Sequence, residues 1–267
     1  MTKLVCIDVD GTLIRSDGSI ADRVWPAVER ARAAGILLAL CSGRPAFGLT
    51  PSLAERLQPG GWHVFQNGAS VLHLATGESR SAQLRDDAVA VLKEQATRSG
   101  AVLELYAETE YVVESRSELA SSHAALLGMR FAPRPFDSLD GRIVRAQWIV
   151  PHEEADGFLR AKPDGVTMTG STSPAMPGIS FLNITPEGVD KAHAVRVLAD
   201  IHRLSLDEVM FVGDGDNDVE ALRIVGTPVA MANAAPAARA AARLHVGDVE
   251  EGGLAEALAL ALALAGS

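Results

Sequence analysis

Apolar residues change their spacing several times along the chain, and each change marks an element. Leu4 to Val9 is a nearly continuous apolar run, which predicts a buried strand. From Asp22 to Gly35, in DRVWPAVERARAAG, the apolar positions fall at helical spacing and the stretch closes on a glycine, so a helix ends there. Ile36 to Leu40 returns to an unbroken apolar run, the pattern of a strand covered on both faces of a parallel sheet. The chain therefore opens β-α-β.

The same grammar returns late. In DKAHAVRVLADIHRL, the residues Ala192, Val195, Leu198, Ala199 and His202 stand at helical spacing; EVMFVGD predicts a strand, DVEALRIVG a helix and PVAMANA a short strand. APAARAAARL and the Leu/Ala run at the end predict two further helices. Alternation at both ends predicts an α/β fold: one doubly wound, Rossmann-like parallel sheet built from the two termini. The middle differs in kind. It reads as a helix (DDAVAVLKEQATRSG), a hairpin (VLELYAE, YVVES), a helix (ELASSHAALLG), a strand (RAQWIVP), a short helix (HEEADGFLRAK) and two strands (VTMTG, ISFLNI). That order predicts an inserted α+β domain with an antiparallel sheet. The expected division is a core of residues 1–83 and 186–267 and an insertion of residues 84–185, with hinges near Ser81 to Leu84 and at Thr185 to Gly188.

Composition narrows the setting. With 267 residues, 48% of them apolar and 22% charged, the chain can bury a sizeable core and leans toward two domains. A formal net charge of −10 disfavours a nucleic-acid partner, because phosphate backbones are bound by clustered Lys and Arg. Cys6 and Cys41 are too few for a disulfide framework and lie in apolar runs, where buried reduced thiols are expected. The apolar run at the start is too short for a signal peptide, and LAEALALALALAG is short of the ~20 residues that span a bilayer. A cytoplasmic protein with small-molecule partners and no membrane association is the expectation, as a monomer or homodimer.

In a doubly wound sheet ligands gather where strands end, so the residues that follow each apolar run carry the chemistry. Four such places are polar. The first is Asp8-Val9-Asp10-Gly11-Thr12: on an extended segment residues two apart share a side, so both carboxylates are expected in one crevice with Val9 turned away. Carboxylates that close repel and call for a cation, a hard ion such as Mg²⁺. The second is Ser42-Gly43-Arg44, a hydroxyl, a flexible amide and a guanidinium that suit an anionic oxygen. The third is Lys191, at a helix start where a cation opposes the dipole unless an anion is bound nearby. The fourth is the turn after FVG, with Asp214, Asp216, Asn217 and Asp218; its acids would repel a pyrophosphate, which rules out a dinucleotide fingerprint around Gly213 and Gly215. Taken singly, each has an ordinary reading as a turn, a helix cap or a solvated charge.

In order and placement, Asp-x-Asp-Gly-Thr, Ser-Gly-Arg, a lone Lys and Gly-Asp-x-x-Asn-Asp resemble the motifs of the haloacid dehalogenase (HAD) superfamily of phosphatases, and the large insertion resembles the cap of its Cof-type (type IIB) sugar-phosphatase branch. The resemblance implies Asp8 as nucleophile on a small phosphate monoester, giving an aspartyl-phosphate, and Asp10 as acid and then base. It implies Mg²⁺ held by Asp8, Asp214 and the backbone carbonyl of Asp10, with Asp218 supporting the ion from behind or through water. Ser42, Gly43, Lys191 and Asn217 would bind the phosphate, and Arg44 and Asn67 would face the substrate. The need for the cations is physical: a carboxylate meeting a phosphate dianion at ~4 Å faces repulsion on the order of 8 kcal/mol at an effective dielectric of about 20. Departures from the family pattern are Ala192 and Ala232, where glycine is common, and Asn183, where an acid is frequent. In the insertion Tyr106, Glu108, Arg116, His123 and Trp148 are open to a pocket role or an ordinary packing one. A phosphomutase or phosphotransferase, and a non-catalytic ligand-binding regulator, are the competing readings.

Overall fold

In the computed structural model, which describes residues 1–173 and 175–266, the chain begins with β1 (Leu4–Ile7), α1 (Val24–Ala33) and β2 (Leu37–Leu40). Every position of β1 is buried, as a central strand of a parallel sheet requires. On α1 the buried residues are Val24, Ala27, Val28 and Ala31, one stripe at 3.6-residue spacing, and Gly35 leaves the helix at φ +82°. There follow α2 (Thr50–Leu57), β3 (Trp62–Phe65) and β4 (Ser70–His73), the last two an antiparallel pair. A bridge from Cys41 to Val64 sets β3 beside the end of β2.

The inserted elements come next: α3 (Asp86–Ser99), β5 (Val102–Tyr106), β6 (Tyr111–Val113), α4 (Glu118–Leu126), β7 (Arg145–Pro151), α5 (Ala155–Arg160), β8 (Val166–Thr172) and β9 (Ile179–Pro186). They form an antiparallel sheet in the order β6-β5-β7-β9-β8. Alternation along its strands sends Leu103, Leu105, Trp148, Val150, Leu182 and Ile184 into a core with Leu92 of α3 and Phe158 of α5. The opposite alternation puts Val102, Ile149 and Phe181 against Ala120 of α4. On this second side Glu104 is buried and accepts from the Tyr106 hydroxyl at 2.5 Å, and its Oε1 lies 3.0 Å from His123 Nδ1.

The chain then resumes its first pattern with α6 (Lys191–His202), β10 (Val209–Gly213), α7 (Val219–Ile224), β11 (Thr227–Ala230), α8 (Pro236–Ala241), β12 (Leu244–His245) and α9 (Leu254–Ala265). The five parallel strands run β12-β11-β10-β1-β2, so the strand order reverses at β1, with β2 on one side and β10 on the other. In an open α/β sheet a ligand crevice lies at such a switch point, beyond the carboxyl ends of the strands. This is the α/β doubly wound core that the alternation predicts.

Two compact units result. One holds residues 1–44, 51–80 and the chain from Asp190 onward; the other holds Ser81–Val189 together with Pro45–Thr50. The short segment joins the second unit because Phe47 stacks on Tyr106 and Tyr111, with ring centroids 6.2 and 5.7 Å away. Among the described residues no helix is long and apolar enough to cross a membrane. Cys6 and Cys41 are buried and unbridged.

Candidate active site

Four charged side chains from three segments of the first unit converge where β1 and β10 end. Asp8 follows β1 directly, Lys191 is the first residue of α6, and Asp214 and Asp218 flank the turn after β10. Lys191 is 1% exposed and donates to Asp8 Oδ1 at 2.5 Å and Asp218 Oδ1 at 2.6 Å. The other oxygen of Asp218 accepts from the backbone N–H groups of Asp214 (3.0 Å) and Gly215 (2.9 Å), so this carboxylate, fully buried, shapes the turn that carries Asp214. Thr12 Oγ1 donates to Asp214 Oδ1 at 2.9 Å. Asp8, Asp214 and Asp218 each present an oxygen within 4.8 Å of the others.

Burial first, and the excess of negative over positive charge after it, perturb the acids of this cluster. Burial, then repulsion from Asp218, raises Asp8 well above the usual carboxylate range against the pull of Lys191. Burial pushes Asp214 up to about 6, with the Thr12 bond opposing and Asp218 reinforcing. For Lys191 burial favours the neutral amine, but Asp218 and Asp8 outweigh it and hold the ammonium charged.

Asp10 differs from the members of that cluster in being exposed. β1 stops at Ile7, and Val9 opens a turn in which its carbonyl accepts from the N–H groups of Leu13 and Ile14. Asp10 thus lies beyond the strand; its carboxylate is 59% exposed and takes a bidentate pair of bonds from Arg44, one of them Nε to Oδ2 at 2.9 Å. Arg44 is held charged by Asp10 even though burial works against it. Ser42 is buried; its Oγ accepts from the Arg44 N–H at 3.0 Å and its carbonyl from the Asn67 N–H at 3.0 Å. Asn67 in turn accepts at Oδ1 from Asn217 Nδ2, 3.0 Å away, and a Cβ on Gly43 would come within 2.9 Å of that same oxygen. The residues that the four strand ends and Asn67 offered thus lie in this one unit, in three groups: the carboxylate–lysine cluster, the Asp10–Arg44 pair, and the Ser42–Asn67–Asn217 chain.

Backbone strain marks the third group. Gln66, Asn67 and Gly68 have φ of +55°, +55° and +97° in succession, and a Cβ at Gly68 would sit 2.0 Å from the Asp190 carbonyl oxygen. Left-handed residues cluster where a site dictates the backbone, and here they press the turn after β3 against the start of the helix that carries Lys191.

A family model described as haloacid dehalogenase-like hydrolase matches residues 5–258. The chain belongs to the haloacid dehalogenase-like hydrolases. A provisionally named phosphatase of Streptococcus pyogenes serotype M6 is 28% identical to this hydrolase over 96% of it and 97% of the relative. The crystal structure of a haloacid dehalogenase-like hydrolase from Bacteroides thetaiotaomicron matches with a TM-score of 0.83 at 28% identity, covering 97% of this chain and 99% of that one. A sugar phosphatase of HAD subclass IIB shares the fold, with a TM-score of 0.81 at 22% identity and coverage of 97% and 98%. Family membership and the phosphatase relative make the chain a phosphoric monoester hydrolase.

Sequence reasoning about this hydrolase missed Asn233. A single asparagine in the alanine-rich MANAA carries no signal of its own, yet its Nδ2 donates to the Gly11 carbonyl at 2.8 Å and its Oδ1 accepts from the Val249 N–H at 3.0 Å. The parallel order β12-β11-β10-β1, which sets the start of the chain beside its last strands, brings those partners together.

Proposed function

We propose that this hydrolase releases phosphate from small phosphorylated metabolites, sugar phosphates among them, in a Mg²⁺-dependent reaction through an aspartyl-phosphate on Asp8. The observation that carries the reading is the charge of the buried cluster. Fully ionised, three carboxylates against one ammonium leave two negative charges in a site that burial makes costly, and one divalent cation brings the sum to zero. The donor set fits a hard ion: Asp8 and Asp214 would hold it with the Asp10 carbonyl, and Asp218 would act behind them. When bound, Mg²⁺ supplies the positive charge that lets a carboxylate approach a phosphate dianion.

Asp8 attacks phosphorus as the bond from phosphorus to the leaving oxygen breaks, and Asp10 gives that oxygen its proton. Asp10 then takes a proton from water, whose oxygen attacks the aspartyl-phosphate and frees Asp8. Lys191, the Ser42 hydroxyl, the Gly43 amide and Asn217 hold phosphoryl oxygens, while Arg44 and Asn67 face the leaving group. The unit of residues 81–189 serves as the cap that selects the leaving group and excludes stray water.

Phosphate release is the test, measured over a panel of phosphorylated metabolites with Mg²⁺ and with chelator, for the wild type and Asp8→Asn. Turnover is expected only with the metal, and the variant is expected to lose at least ~10³-fold, the scale of removing a nucleophile. Undiminished turnover by Asp8→Asn refutes the mechanism. Release without any added acceptor separates hydrolysis from phosphoryl transfer.

A further inference from the structure

The loops that follow β1, β10, β11 and β12 meet at Asn233. Its own loop is laid along the end of β10 by the Met231 N–H donating to the Gly213 carbonyl at 3.2 Å and the Ala235 N–H donating to the Asp214 carbonyl at 2.8 Å. The side chain then reaches in two directions. Oδ1 accepts from the Val249 N–H, in the loop after β12, at 3.0 Å; Nδ2 donates to the Gly11 carbonyl at 2.8 Å and approaches Asp214 Oδ2 at 3.4 Å. An amide has one acceptor end and one donor end, so the Val249 N–H decides which way it faces and turns the NH₂ toward the two oxygens.

Asp214 is therefore approached by a donor at each oxygen, Thr12 at Oδ1 and Asn233 at Oδ2. A carboxylate contacted at both ends is restrained in rotation before any ligand arrives, and the entropy of ordering it is not charged to binding. Gly11 is placed by the same residues. It has φ +81°, and a Cβ there would come within 2.2 Å of Asp214 Oδ2, so the turn after Asp10 packs directly on the carboxylate that Asn233 steadies.

We infer that Asn233 is a positioning residue for the metal site: it orients Asp214 and the Gly11 turn, and through Val249 it couples the loop after β12 to metal binding. This rests on the Mg²⁺ reading above. Loss of a residue that orients a metal ligand typically lowers metal affinity ~10–100-fold, and the exposure of Asn233 with its longer 3.4 Å contact points to the lower end, about tenfold.

The test uses the full chain without substrate. Mg²⁺ is titrated calorimetrically into the wild type and Asn233→Ala, and hydrogen exchange at the Val249 amide is followed in the wild type with and without Mg²⁺. The variant is expected to bind about tenfold more weakly, and Mg²⁺ is expected to slow exchange at Val249. A merely structural role would lower the melting temperature of the metal-free variant and leave its Mg²⁺ affinity unchanged. Equal affinities, or exchange at Val249 indifferent to Mg²⁺, overturn the inference; should Asn233→Ala fail to fold, the wild-type exchange decides alone. A wild type that binds no Mg²⁺ overturns the metal reading and the Asn233 role together, an outcome distinct from the other two.

Discussion

His63, in β3, is buried and held neutral, and the stability of the first unit should fall in acid because of it. Nδ1 accepts from the Leu40 N–H at 3.0 Å, so it carries no proton, and Nε2 lies 3.2 Å from the Gln58 carbonyl, to which it donates. Burial lowers its pKa from 6.5 to about 4. Below pH 6.5 the unfolded chain takes up a proton that the folded chain refuses, so stability is complete above 6.5 and drains away as the pH falls toward 4. The gap between 6.5 and about 4, at 1.36 kcal/mol for each unit, comes to about 3 kcal/mol, of which about 2 is lost by pH 5. Against a typical total of about 5–15 kcal/mol that loss is large. The assay is urea unfolding at pH 7.5, 6 and 5, read by fluorescence and circular dichroism, for the wild type and His63→Asn. Asparagine can present an oxygen to the Leu40 N–H but does not titrate. The wild type should lose about 2 kcal/mol more than the variant between pH 7.5 and 5. Parallel losses in the two proteins would refute the reasoning.

Three further substitutions probe other parts of the molecule. Lys191→Met leaves the carboxylates of Asp8 and Asp218 buried without their ammonium, and a loss of about 3–5 kcal/mol in urea unfolding without metal is expected. Gly68→Ala drives a methyl into the Asp190 carbonyl at a φ that alanine resists; a melting scan should show a loss of about 2 kcal/mol or more, and phosphate release should fall with it because the start of α6 must shift. Phe47→Ala removes a ring from the stack on Tyr106 and Tyr111, and faster hydrogen exchange within β5 and β6 is the expected sign, at a cost of about 1–3 kcal/mol.

Much of the architecture was legible because its signals are local. The apolar runs of β1, β2 and β10 and the Val24–Ala31 stripe of α1 announce themselves within a few residues. So do the acids placed directly after β1 and β10. What escaped depends on partners distant in the chain. β4 and the two-residue β12 are defined by pairing more than by composition, and α2 lies in a stretch broken by Pro51 and polar residues. Asn67-Gly68 reads as an ordinary turn, and only the φ values of Gln66 and Asn67 and the contact with Asp190 reveal how tightly it is constrained. That β1 stops at Ile7, short of both Asp8 and Asp10, is a matter of one to three residues that periodicity does not resolve. In the inserted unit Tyr106, His123 and Trp148 are buried in its own packing.

The placement of Pro45–Thr50 bears on how such an enzyme can be recombined with its relatives. Cutting at two of the covalent joints, near 80 and 190, looks sufficient to exchange one inserted domain for another. Yet six residues left behind in the host belong with the removed piece, and Phe47 among them supplies a ring that Tyr106 and Tyr111 are shaped to meet. A chimaera spliced at two seams would set foreign residues against the wrong side chain at position 47, so a graft that moves the whole unit needs two further seams, one after Arg44 and one after Thr50.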